Sequence, residues 1–188
     1  MKNVMILGAP GSGKGTQGKL LAERLGLPKI TTGDLIRTAI KTGTPLGVEA
    51  KKFYDAGKLV PDAVILGLIQ EQLAKPEAKD GAVLDGFPRT AAQAELVDRT
   101  LATTQHRLNH VLLLDVPEEE LVTRMLGRAQ QEGRADDTPE AIKTRLSVYQ
   151  METAPLVAHF AQRGIVRRVP GTGTVEQIAE EIKRIIGR

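Results

Sequence analysis

The stretch Gly8-Ala9-Pro10-Gly11-Ser12-Gly13-Lys14-Gly15-Thr16 constrains this chain more than any other. It follows Lys2-Asn3-Val4-Met5-Ile6-Leu7, an apolar run that reads as a buried strand, and it precedes Gln17 to Arg24, which read as the start of a helix. Strand, glycine-rich turn, lysine, hydroxyl and helix in that order make a phosphate-binding loop, or P-loop. Glycines let consecutive backbone N–H groups curl into one hollow, and the helix N-terminus adds partial positive charge there. Lys14 is placed to reach β- and γ-phosphates, and the Thr16 hydroxyl to help hold Mg²⁺. The generic pattern has its hydroxyl directly after the lysine; here Gly15 intervenes.

Composition narrows what surrounds this loop. At 188 residues, with 41% hydrophobic and 3% aromatic content and no Trp, the chain predicts one compact domain with an aliphatic core. Scarce aromatics argue against base-stacking platforms for single-stranded nucleic acid. A net charge of +3 fits anionic partners without distinguishing nucleotides from nucleic acid. With no Cys and three scattered His, neither disulfides nor a zinc site are expected. The first apolar run stops at Gly8, too soon for a secretory signal, and no stretch approaches a membrane span. A cytoplasmic protein is the expectation.

Further strands are expected near Lys29–Thr31, Ala82–Leu84, His110–Leu114 and Ile165–Val169. Helical patterns separate them, at Thr16–Leu25, Gly33–Thr42, Leu46–Ala56, Asp62–Ala74, Ala91–Thr104, Glu118–Arg128, Pro139–Gln162 and Val175–Ile186. Strands alternating with helices predict an α/β fold, a parallel sheet wrapped on both faces with ligands at the strands' C-terminal edge. Gly33–Ala74 holds helices and little strand, so it reads as an insertion able to cover a ligand.

Two more segments fall on that edge. Thr31-Thr32-Gly33-Asp34-Leu35-Ile36-Arg37 follows the short second strand, where Thr or Asp is equally read as a helix cap. The third strand runs into Asp85-Gly86-Phe87-Pro88-Arg89. An Asp there can hold Mg²⁺ directly or through water, and Pro88 stiffens the turn that aims Arg89. Asp115, at the end of the fourth strand, competes for the metal role, although Pro117 after it favours a turn.

GAPGSGKGTQ, TTGDLIR and DGFPRT, in that order and spacing, resemble the adenylate kinase family, as do GRADDTPEAIKTRL and ETAPL further on, so the resemblance covers nearly the whole chain. It implies a P-loop NTPase-like five-stranded parallel sheet. The core is expected at 1–31, 61–127 and 138–188, the nucleoside-monophosphate-binding insertion at 32–60 and a lid at 128–137. It implies a monomeric enzyme that transfers a phosphoryl group from ATP to AMP with Mg²⁺, giving two ADP and balancing the adenine nucleotides, with neither nucleic acid nor membrane as partner. ATP would be held by Gly11, Ser12, Gly13, Lys14, Gly15, Thr16, Arg128 and the backbone of Gly173, with Arg124 over its adenine or phosphates. AMP would be held by Thr32, Arg37, the backbone around Lys58, Leu59 and Val60, the turn of Gly86, Phe87, Pro88 and Arg89, and Gln93 on the adenine edge. Arg134 and Arg145 would bridge the two phosphate chains, oriented by Asp136 and Asp137, and Asp85 and Thr16 would face the metal.

The residues themselves agree with these roles: Arg offers a planar bidentate fork to phosphate, and phosphoryl transfer needs clustered positive charge. No general base is required. Only five residues separate Arg128 from Arg134, so the chain departs from long forms of the family, which carry a lid of several strands, sometimes with zinc. Pyrimidine-specific relatives tend to carry Ala in place of Thr32, which favours AMP over UMP or CMP; a P-loop switch or a nucleic-acid-dependent ATPase remains the alternative outside this class.

Overall fold

The computed structural model describes residues 2–55, 60–132 and 138–187, with side chains throughout except at 128–132. The apolar runs become β1 (Lys2–Gly8), β2 (Lys29–Thr31), β3 (Gly81–Asp85), β4 (Leu108–Asp115) and β5 (Val166–Pro170). All pair in parallel, in the order β2-β3-β1-β4-β5. Successive strand residues point to opposite faces, and the core divides accordingly. Met5 and Leu7 of β1, with Val111 and Leu113 of β4, face one core; Val4, Ile6, Leu112 and Leu114 face the other. The expected sheet with helices on both sides is therefore present.

On the first face lie α4 (Asp62–Leu73), α5 (Ala91–Thr103) and α8 (Pro155–Ala161), burying Ile69, Leu73, Val97, Leu101, Leu156 and Phe160. The other face is covered by α1 (Lys14–Leu25) and α9 (Val175–Ile186) through Leu21, Ile178, Ile182 and Ile186. α9 opens on a capping box, Thr174 accepting from the Gln177 N–H while the Gln177 side chain accepts from the Thr174 N–H. α6 (Glu118–Glu132) and α7 (Pro139–Val148) share a smaller cluster of Leu121, Met125, Ile142 and Leu146 beside Ala9. α2 (Thr32–Thr42), α3 (Pro45–Tyr54) and α4 enclose another, built on Ala39, Ala50, Val60, Val64 and Leu68. α4 thus belongs both to this cluster and to the main core.

One expected element is broken. The pattern over Pro139–Gln162 predicts a single helix, but the chain forms α7, a π turn at Tyr149–Thr153, and α8. Pro155 has no N–H to donate, and in a regular helix its ring would press on the carbonyl of Met151. The chain widens instead, and the Ala154 N–H bonds back five residues to the Tyr149 carbonyl at 2.8 Å.

At the opposite end of the sheet, β4 carries an extra residue against β1: Asn3 pairs with Leu108 and Val4 with His110. A bulge leaves a strand group without its ladder partner. Here the Asn3 N–H finds the Asn109 side-chain oxygen at 2.8 Å. The buried Asn3 amide donates to the Arg107 carbonyl at 2.9 Å, which turns its oxygen toward His106 Nδ1 at 3.1 Å.

Candidate active site

Gly8, Thr31, Asp85, Asp115 and Pro170 end the five strands along one edge. β1 is central, with β3 on one side and β4 on the other, so the loop after it sits where the sheet's connections part. Gly11 and Gly13 have φ of +83° and +87°, a left-handed conformation that side chains disfavour. A Cβ on Gly11 would also lie 3.0 Å from the Leu121 carbonyl, so the loop is pressed against α6. α1 begins at Lys14 with no side-chain cap and no acidic residue in its first turn. Its first N–H groups and its dipole are thereby left for an anion. Lys14 Nζ lies 3.4 Å from the Ala9 carbonyl, folded back over the loop. Ser12 Oγ is buried without a partner among the described residues. Gly15 and Thr16 are exposed at the helix mouth.

Asp85 aligns with Ile6 of β1 on one side and Thr31 of β2 on the other. Its side chain is 9% exposed and pairs with Lys29 Nζ at 3.1 Å. That ammonium also donates to the Gly15 carbonyl at 2.9 Å, tying the third strand to the first turn of α1. Sequence reasoning reads Lys29 only as part of a strand; the one signal was a cation opening so short a strand. Asp115 pairs instead with Arg168 of β5 at 3.0 Å, and its carbonyl accepts from the Gly171 N–H at 2.8 Å.

The turn after β3 is built by its own side chains. Gly86 has φ +87°, and the Phe87–Pro88 bond is cis. Phe87 is buried in the main core. Arg89 is exposed, with its Nε donating to the Gly86 carbonyl at 2.9 Å. Gln93, one turn into α5, accepts from the Arg89 N–H at 2.8 Å and donates to Asp62 at 3.0 Å. The Gln93 amide therefore joins this turn to the start of α4, through a carboxylate that sequence reasoning did not single out. The Thr32 hydroxyl sits 3.6 Å from where a Gly86 Cβ would be, which places it across the same opening.

Thr31 does not cap α2 through its side chain; its hydroxyl donates to the Asp34 carboxylate. That bond, and Arg37 at 2.5 Å, hold Asp34 below the usual carboxylate range. Val60 is buried among α2, α3 and α4. Lys58 and Leu59 lie outside the described residues.

On the far side of the loop, Arg124 is fixed by Glu120 at 2.9 Å and by the Gly171 carbonyl at 2.8 Å. It thus ties α6 to the Gly171-Thr172-Gly173 turn. A Cβ on Gly171 would come 2.4 Å from Val116, and one on Gly173 2.9 Å from the Gln177 side chain, so both glycines sit in tight quarters. Arg145 is half-buried on α7. The Arg128 side chain, Arg134, Asp136 and Asp137 lie outside what is described. Among the described residues no group of three or more His, Cys, Asp or Glu gathers to hold a metal. No described helix is long and apolar enough to cross a membrane.

A phosphate cradle and an arginine-bearing turn thus share one sheet edge, on neighbouring strands. The adenylate kinase family model matches residues 6–165. An adenylate kinase of Leptospira biflexa is 47% identical over 186 residues, 99% of this chain and 100% of that protein. One of Kocuria rhizophila is 47% identical over 188 residues, covering both chains completely. One of Micrococcus luteus is 45% identical over 186 residues, 99% of this chain and 91% of its own length. The chain belongs to the adenylate kinase family.

Proposed function

We propose that this protein reversibly transfers the terminal phosphoryl group of ATP to AMP, giving two ADP. The observation that carries the reading is the adjacency of two anion sites: the uncapped start of α1 after β1 and the Gly86–Arg89 turn after the neighbouring β3. A chain that merely binds or hydrolyses a nucleotide needs the first site and not the second.

Backbone N–H groups of Gly11 to Thr16 and the Lys14 ammonium hold the donor's phosphates, with Arg128 and Gly173 along the rest of ATP. Arg124 holds the Gly171–Gly173 turn against α6. The acceptor lies between Thr32, Arg37, the backbone at 58–60 and the turn of Gly86, Phe87, Pro88 and Arg89. Gln93 meets the adenine edge by exchanging a bond it now makes within the protein. Arg89, Arg134 and Arg145 present guanidinium forks to the transferring group, and charge stabilisation with in-line positioning supplies the rate. Closure of segments 32–60 and 128–137 over the core excludes water and so suppresses hydrolysis.

The residues present suit Mg²⁺ that arrives with a nucleotide. Asp85 would hold the ion through its carboxylate, directly or by way of water, and Thr16 would offer a hydroxyl at the helix mouth, with phosphate and water supplying further oxygens. Bound there, the ion neutralises charge on the phosphates. The protein acts as a cytoplasmic monomer, with neither nucleic acid nor membrane as partner. Initial rates with AMP, CMP, UMP and GMP as acceptors test the assignment. AMP is expected to be the fastest by about tenfold or more, since a polar site left unpaired rejects the wrong base strongly. Faster turnover of UMP or CMP would overturn it.

A further inference from the structure

Lys29, on the outermost strand β2, reaches across to this edge as a resident cation. Its ammonium bridges the Asp85 carboxylate at 3.1 Å and the Gly15 carbonyl at 2.9 Å, with three-quarters of the side chain buried. Gly18 of α1 makes room for it: a Cβ there would lie 3.2 Å from Lys29 Cε. In the generic loop a hydroxyl follows the lysine directly; here Gly15 takes that place, its carbonyl accepts from Lys29, and the hydroxyl comes one residue later at Thr16.

We propose that Lys29 is a positioning residue that neutralises Asp85 in the nucleotide-free protein, so that a divalent cation enters only together with a nucleotide's phosphates. A lone carboxylate at the end of a buried strand attracts a free divalent ion; a carboxylate already paired at 3.1 Å presents no net charge to it. Phosphates bring several negative charges to the same place and tip the balance toward the metal. The salt bridge also fixes the Asp85 rotamer, so the carboxylate is aimed before the nucleotide arrives. The inference rests on the reading of Asp85 as the carboxylate that faces the metal.

The test uses Mn²⁺ as the probe, with free Mn²⁺ followed by its electron paramagnetic resonance signal, on the full chain with and without ATP. Without ATP, wild type and Lys29→Arg should show no site tighter than about millimolar, whereas Lys29→Gln and Lys29→Met should bind Mn²⁺ about tenfold tighter or more. Lys29→Gln combined with Asp85→Asn should return to wild-type behaviour. Circular dichroism identifies folded variants. Lys29→Met keeps the stem that packs on Gly18, and Lys29→Gln keeps a donor for the Gly15 carbonyl, so either one suffices. Unchanged Mn²⁺ affinity in a folded neutral variant, or a submillimolar site in nucleotide-free wild type, overturns the proposal. If Asp85→Asn weakens Mn²⁺ binding in the presence of ATP while the neutral variants gain nothing, Lys29 fails and Asp85 stands. If the gained site survives Asp85→Asn, both readings fail.

Discussion

His106 illustrates how a single residue couples folding to solution conditions. It is 6% exposed, and the Asn3 oxygen accepts a hydrogen bond from Nδ1, which places the hydrogen of the neutral ring on Nδ1. Burial holds its pKa below the usual imidazole value. His110, two strand positions beyond the bulge residue's neighbour, is shifted the same way by burial and by Arg167 and Lys2. The sign follows from proton uptake: the unfolded chain binds protons that the folded one refuses, so stability is complete above about pH 6.5 and falls as the pH drops below it. The urea midpoint should fall between about pH 7.5 and pH 5.5, and His106→Gln should remove part of that fall. An identical decline in the variant would show that His106 takes no part. Asp34 and Glu180, both held below the ordinary carboxylate range by hydrogen-bonded partners, lose their contribution only at much lower pH, so the two windows separate. None of this node was legible in the sequence, because Asn3, His106 and Asn109 meet only once β1 and β4 are paired. The pairing of Lys29 with Asp85 was hidden for the same reason: the sequence singles out Asp85 at its strand end, but only the register of β2 on β3 brings Lys29 to it.

At the scale of elements, period and punctuation carried most of the information. Strand residues alternate between two cores as a parallel sheet requires, and Thr44, Thr90, Thr138 and Thr174 each accept a backbone N–H at a helix start. The helical pattern through Pro139–Gln162 misled because apolar spacing continues across the π turn while Pro155 removes the hydrogen bond beneath it. Close helix contacts were likewise invisible. α3 crosses α2 so tightly that a Cβ on Gly47 would come 2.0 Å from the Ala39 carbonyl, a backbone atom that cannot move aside. Gly47→Ala should therefore destabilise the protein by about 2–3 kcal/mol, the cost of overpacking a fitted contact, as measured by urea unfolding. Because α2 borders the proposed acceptor site, its KM for AMP should rise more than its KM for ATP. Wild-type stability in the alanine variant would mean that the two helices are free to separate.

For the molecule as a whole, the family motifs made both proposed nucleotide sites readable, since glycine-rich loops and arginine-bearing turns are local in sequence. What holds those motifs relative to one another is distributed: Lys29 from β3 to α1, Gln93 from the turn to α4, and Arg124 from α6 to the Gly171–Gly173 turn. These three links hold the glycine-rich loop and the Gly86–Arg89 turn on one edge of one sheet, and the central claim is that they serve as donor and acceptor sites with phosphoryl transfer between them. Phosphorus NMR of the protein with ATP, AMP and Mg²⁺ tests it most directly. ATP and AMP should disappear in equal amounts, with two ADP formed for each pair and no inorganic phosphate. Release of inorganic phosphate with AMP unconsumed would contradict the account.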